Sequence, residues 1–235
     1  MTSAPRTARA IARAELTRAI LDAAGRQLVE VGPAALSVRA VARELGMASS
    51  AVYRYFPSRD ALLTALLVEA YDELGDAVES ADAAVEARGD LLARWRAVCH
   101  AIHDWARAQP HRYALLYGSP VPGYAAPDDT ITPATRITGA ILAVLHDAQT
   151  SGTHPAPSLP LSPAERAGLA PVRAVVDPPF DDDTLARGLV AWPALFGTIS
   201  LELFGHMHRG VLDYDAHFAQ VVDQLAADLG LFGTT

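Results

Sequence analysis

LSVRAVARELGMASSAVYRYFPSR, residues 36–59, decides the fold of this chain. Val38, Val41, Ala42 and Leu45 recur at helical spacing, and Gly46 stands where that helix must stop and a positive φ is wanted. A second helix starts near Ser49 and is dense in hydroxyls, aromatics and arginine: Ser49, Ser50, Tyr53, Arg54 and Tyr55. Two short helices joined by a tight turn, with a third beginning at once after Pro57-Ser58, have the form of a helix-turn-helix, whose second helix lies in the DNA major groove.

The charge distribution points to the same partner. The whole chain is acidic, formally −8. Residues 1–59, however, hold nine arginines against four acids, a net +5, whereas residues 60–235 carry −13. One end can neutralise phosphates and the other repels them. The chain has arginine but no lysine; with the abundant alanine, that absence fits a coding bias rather than a design for DNA. A chain of 235 residues that is 51% hydrophobic suits one small and one larger domain. The single cysteine, Cys99, excludes an internal disulfide and fits a reducing compartment. No apolar run approaches the ~20 residues of a membrane helix, and the N-terminus has no apolar stretch of signal length. The expectation is a cytoplasmic protein without a membrane partner.

Outward from the motif, helical spacing continues throughout. Leu16, Ile20, Ala23, Ala24, Leu28 and Val31 mark a helix over 10–31 that ends at Gly32-Pro33. Ser58 can cap a long helix over 59–80. Leu91, Trp95, Val98, Ile102 and Trp105 stripe another at 89–108, and a short helix runs from Pro110 through Tyr117. Residues 118–129 read as a loop, 132–150 as a helix, and 152–162, rich in Pro and Ser, as a linker. The capping box at 162–165 starts a short helix to 170; residues 171–182 read as a loop, and the last helices fall at 183–209, with Pro193 inside, and 214–229. No stretch alternates with period two. The chain reads as all-α, with a three-helix DNA-binding domain at 1–60 and a larger helical domain at 61–235.

The chain resembles the tetracycline-repressor-like (TetR) transcriptional regulators. The likeness rests on the first helix ending at Gly32, Ser37-Val-Arg-Ala-Val-Ala42, Gly46, Ala51-Val-Tyr-Arg-Tyr-Phe56 and Pro57-Ser-Arg-Asp-Ala-Leu62, and it spans about residues 12–70. Trp192-Pro-Ala-Leu-Phe-Gly197 and Tyr117-Gly-Ser-Pro120 are similar to one group of these regulators that carries Trp-x-x-x-His-Gly. Phe196 stands where that signature has His, so the role of that His does not carry over. The resemblance implies that Ser49, Ser50, Tyr53 and Arg54 face bases and backbone, that Arg39 reaches a base edge, and that Ser37, Tyr53, Tyr55 and Arg59 hold phosphates. The chemistry agrees, since an arginine fork suits guanine and hydroxyls suit phosphate oxygens. Ala48 replaces the usual capping hydroxyl, and Ser49 is expected to cap instead, one residue later.

The aromatics at Trp95, Trp105, Tyr113, Tyr117, Trp192 and Phe196, with Cys99 and His103 among them, are candidates for an effector pocket; packing within a core is the alternative for each. Cys99 and His103 lack further metal ligands in register, so neither a metal nor a cofactor is expected. No framed nucleophile and no Gly-rich phosphate loop is visible, and nothing supports an enzyme. In the resembled family the last two helices pair with a second subunit, so the resemblance implies a helical effector-binding and dimerisation domain at 61–235. That implies Gly197, Phe204, Phe218, Val222 and Leu225 as dimer residues, with packing inside one subunit left open. The expectation is a homodimeric repressor that binds a palindromic double-stranded operator and is released by a small hydrophobic effector. The rival is a helical small-molecule binder that no longer regulates transcription.

Overall fold

Thr7 opens the first helix, α1 (Ala8–Val31), by accepting the Ala10 amide on its hydroxyl at 3.3 Å, and Gly32, at φ 74°, closes it. The computed structural model describes residues 7–152, 160–177 and 179–232, which form eleven α-helices and no strand. The expected all-α architecture is observed. α1 buries Ile20, Ala23, Ala24, Gln27 and Leu28. Val31, placed on the inward stripe by its spacing, is 54% exposed, because the last turn has run past the core.

A 3-10 turn at Pro33–Ala35 leads into α2 (Val38–Glu44), α3 (Ser49–Tyr53) and α4 (Arg59–Ala83). Ser58 caps α4, accepting the Ala61 amide at 2.9 Å. Then come α5 (Leu91–Ala108), α6 (Pro110–Tyr117), α7 (Ile131–Thr150), α8 (Pro163–Gly168), α9 (Ala170–Arg173), α10 (Asp182–Leu203) and α11 (Tyr214–Asp228). Ser162 caps α8 through the Glu165 amide at 3.1 Å. Two boundaries differ from the sequence reading. α9 occupies part of the expected 171–182 loop, and α10 ends at Leu203, where turns take over before Arg209. Most of the expected 152–162 linker lies outside the described residues.

By compactness the chain forms two units, one of Met1–Asp72 with Gln109–Ala134 and the other of Glu73–Ala108 with Thr135–Thr235. In the first, Ile20, Leu28, Val41, Val52, Phe56, Leu62, Leu63 and Leu66 make one core, which also receives Leu115 of α6. In the second, α5 packs against α10 and α11. It buries Leu91, Arg94, Trp95, Val98, Cys99, Ile102, His103 and Ala106, a stripe at three- and four-residue steps. Trp105 lies beside that stripe and is only half-buried. Arg94, buried in the stripe, donates from Nε to Asp82 Oδ1 at 2.7 Å and from Nη1 to Asp147, so one guanidinium ties α5 to α4 and α7. Desolvation works against the Asp82 charge, but hydrogen bonds from Arg94 and Arg88 outweigh it and hold the carboxyl below its ordinary range.

α10 is, among the described residues, long and apolar enough to cross a bilayer by length and composition alone. Its first turn carries Asp182 and Asp183, and its apolar outer residues form a stripe along one face rather than a uniform cylinder.

Candidate nucleic-acid interface

The helix-turn-helix is built as its residues require. Ser37 caps α2 by accepting the Ala40 amide, and its own N–H donates to the buried Gln27 side chain at 3.2 Å. At the other end Gly46 takes φ 65°; its N–H reaches the Arg43 carbonyl at 3.1 Å and the Met47 N–H reaches Ala42 at 2.8 Å. This paired closure needs a left-handed residue, which glycine adopts without strain. It turns the chain sharply enough for α3 to begin three residues later. Ala48, not Ser49, occupies the cap position of α3, with extended backbone and no side-chain bond, so the expected shift of the helix start does not occur.

Val52 is fully buried and Phe56 nearly so, and together they seat α3 on the bundle. The opposite side of α3 is left outward. Ser50 and Arg54 are exposed, Tyr53 is 41% exposed, and Ser49 is partly covered. Arg39 is exposed on α2. Tyr55 is partly buried against the core and carries the Arg13 guanidinium over its ring, 5.2 Å from the centroid. Of the eight expected DNA residues, Arg39, Ser50, Tyr53 and Arg54 are exposed and Ser37, Ser49, Tyr55 and Arg59 are partly buried. Arg59 is engaged differently. Its Nε donates to the Leu36 carbonyl at 3.1 Å, and Nη2 donates to Pro33 at 2.8 Å and to Ala34 at 3.0 Å.

The arginines of this unit divide by what holds them. Arg18 lies between Asp22 and Glu69, and Arg26 donates to Glu44 at 2.6 Å. Arg9, Arg13, Arg39, Arg43 and Arg54 are exposed and have no carboxylate partner among the described residues. Sequence reading missed Arg13, because its link to Tyr55 spans most of the domain and leaves no local pattern.

The expected effector residues are distributed over both units. In the second, the Trp95 indole N–H donates to the Val222 carbonyl at 2.9 Å. Cys99 is fully buried, and burial pushes its thiol well above the ordinary range. His103 pairs through Nε2 with Glu202 at 2.8 Å and stacks on Phe218 at 4.0 Å. Trp192 and Phe196 lie 4.4 Å apart on α10. Tyr113 and Tyr117, 5.2 Å apart, belong to the first unit, where Tyr117 also meets the edge of Tyr71 at 6.4 Å. Burial raises the Tyr117 hydroxyl. No group of three or more metal-binding side chains occurs among the described residues.

The expected dimer residues separate by helix. Phe218 and Val222 of α11 are fully buried and Leu225 nearly so, inside the second unit. The α11 stripe is consumed by α5, which is why a stripe alone did not identify its partner. On α10, Gly197 is half-covered and Phe204, just past the end of the helix, is 45% exposed. Leu189, Val190 and Leu201 are exposed with them.

Two family models match the chain: "Bacterial regulatory proteins, tetR family" over residues 20–66 and "Tetracyclin repressor-like, C-terminal domain" over residues 95–225. The HTH-type transcriptional regulator Rv1816 of Mycobacterium tuberculosis is 41% identical over 211 residues, 86% of each chain, as is regulator Mb1846 of Mycobacterium bovis. The crystal structure of the candidate regulatory protein SCO4313 superposes with a TM-score of 0.77 at 32% identity, covering 94% of this chain and 98% of its own. A Rhodococcus sp. RHA1 protein of unknown function superposes at 0.69 with 25% identity, covering 92% and 95%.

Proposed function

The chain belongs to the tetR family of bacterial regulatory proteins and is a helix-turn-helix transcriptional regulator rather than an enzyme, and on that premise we propose that it is a dimeric, cytoplasmic repressor released by a small hydrophobic effector. The observation that carries the DNA reading is the outward surface of α3. Ser50, Tyr53 and Arg54 stand free beside Arg39, on a helix that Val52 and Phe56 lock in place. Arg39 and Arg54 read base edges, while Ser37, Ser49, Ser50, Tyr53 and Tyr55 hold the backbone. Arg59 acts through the main chain that it ties at 33–36.

The proposed dimer face is the outer stripe Val190, Pro193, Gly197, Leu201 and Phe204, at helical steps along α10 and just beyond its end. A Cβ added at Gly197 would meet nothing within 4 Å, which leaves room for a second helix to approach closely. Two copies related by a two-fold axis would carry two recognition helices, matching a palindrome with half-sites about 34–36 Å apart or a multiple of that. An effector favouring a different separation of those helices would release the operator. Trp105, Trp192 and Phe196 of the second unit remain the candidates for binding it, since Trp95, Cys99 and His103 are packed in its core.

Selection of duplexes from a random pool by the purified protein tests the reading. Recovery of an inverted repeat is expected. Failure to retain any duplex at low salt would favour the rival, a helical ligand binder without a regulatory site.

A further inference from the structure

We infer that Arg9 and Arg13, on the first two turns of α1, form a second phosphate-holding surface beside the recognition helix, with Tyr55 setting the position of Arg13. The inference rests on the DNA-binding reading and extends its footprint.

The arginine partners supply the first reason. Arg18 and Arg26 have carboxylates and Arg59 has three carbonyls, so these side chains serve the fold. Arg9 and Arg13 have no carboxylate partner among the described residues and are exposed. Their placement runs against helix electrostatics. The first turn of α1 contains no acid, and its unpaired amides already make that end positive. Two arginines four residues apart on one face add mutual repulsion. Both terms are unfavourable in the free protein, and both become favourable once an anion lies across them.

The second reason is the link to α3. The Arg13 guanidinium lies 5.2 Å above the Tyr55 ring. Tyr55 is fixed in turn, because its amide donates to the Val52 carbonyl at 2.9 Å and its ring packs against the bundle core. A guanidinium over an aromatic face keeps N–H groups available to oxygen acceptors. The second turn of α1 and the residues just past the recognition helix therefore meet.

The third reason is shape. A shallow groove of about 490 Å³ along α1 is lined by Ala10, Arg13, Ala14, Thr17, Arg18 and Leu21. Ala10 and Ala14 flank Arg13 there, and these small side chains let a sugar-phosphate chain approach closely. Two unpaired arginines along α1, with the exposed Arg39 and Arg54 in the same unit, suit a polyanion such as duplex DNA rather than one free phosphate.

The test is the Arg9→Gln, Arg13→Gln double variant, measured across salt on a duplex selected from a random pool by the unmodified protein and on an unselected duplex of equal length. Affinity for both duplexes falls by the same factor, and the salt slope decreases by about two per subunit, close to 0.9 for each phosphate no longer neutralised. Tyr55→Leu costs more affinity and slope than Tyr55→Phe, since Phe removes only the hydroxyl and keeps the ring under Arg13. Without DNA the melting temperature of the double variant stays or rises, because repulsion is relieved. If the unmodified protein binds no duplex, the regulator reading itself fails. If it binds and the double variant matches it in affinity and slope, only this inference falls. Altered sequence preference at constant slope, or a lower melting temperature, would equally overturn it.

Discussion

Arg59 grips the main chain at Leu36, its Nε 3.1 Å from that carbonyl, while Nη2 on the same edge of the guanidinium donates to the carbonyls of Pro33 and Ala34. One side chain at the start of α4 thereby closes the turn between α1 and α2. Arg59→Ala is expected to lower stability by about 1.5–3 kcal/mol, the usual scale for hydrogen bonds from a charged donor. Lysine should not rescue it, because a single ammonium cannot span three carbonyls. The salt slope of DNA binding should be unchanged. Denaturant unfolding and a salt titration check both parts; normal stability with a reduced slope would return Arg59 to the phosphates.

What was legible in the sequence depended on locality. The turn at Gly46, the caps at Ser58 and Ser162 and the inward pair Val52 and Phe56 are set by residues within one or two turns of each other. These could be read directly. Residues whose role depends on a distant partner could not. Arg59 and Arg39 look alike as exposed-face arginines in a linear reading, and only the fold brings three carbonyls to one of them. Arg94 gave no signal because its carboxylates, Asp82 and Asp147, lie on two other helices. The Phe218, Val222 and Leu225 stripe announced a buried face correctly, but periodicity does not say which helix covers it.

Arg39 and Arg54 carry the expected sequence readout. Replacing either by alanine should relax preference at one base pair of each half-site, by about 1–3 kcal/mol, and leave the other positions intact. Neither side chain has a carboxylate partner among the described residues, so neither replacement should lower the melting temperature. Repeating duplex selection with each variant shows this as one degenerate position; an unchanged selected sequence for both variants would place the readout elsewhere.

The two faces of the last helices separate dimerisation from folding. Val190 is 66% exposed, so Val190→Asp should preserve the helical signal and melting temperature but yield a monomer with weak operator affinity. Val222 is fully buried beneath Trp95, and Val222→Asp should unfold the unit, since an unpaired buried carboxylate costs several kcal/mol. Sedimentation and circular dichroism on the pair distinguish the outcomes. An intact dimer with Val190→Asp, and likewise with Leu201→Asp, would remove the proposed face.

Acid should weaken the second unit through its arginine-bound carboxylates. Glu79 is held below its ordinary value of 4.5 mainly by Arg136, and Asp82 below 3.8 by Arg94 and Arg88 against the opposing effect of burial. Carboxylates with depressed folded values contribute stability that is complete above their unfolded values and lost as pH falls through the folded ones. Unfolding should therefore be nearly flat in pH down to about 5 and steepen below 4. Arg94→Met leaves Asp82 partly buried without its main partner, so it should cost about 3 kcal/mol near neutral pH and move the acid midpoint upward. A pH-unfolding midpoint unchanged by Arg94→Met would refute this assignment.

Effector binding gives the most discriminating fluorescence experiment, because the three tryptophans differ in their surroundings. Trp95 is fully buried with its N–H on the Val222 carbonyl, whereas Trp105 and Trp192 are partly open and Trp192 lies against Phe196. A hydrophobic ligand that reaches the α10 aromatics should quench Trp192 and leave Trp95 emission nearly intact. Trp192→Phe should then remove most of the quench without abolishing the thermal shift. At a hundredfold excess over Kd, a ligand confined to the folded state adds about 2.7 kcal/mol, which a melting curve resolves readily. The same ligand should lower operator affinity while sedimentation still shows a dimer. A thermal shift with unchanged operator affinity would mark a binding site uncoupled from regulation. If the quench survived in a Trp105→Phe, Trp192→Phe double variant, the ligand would have to reach Trp95, and the open aromatics would not line its site.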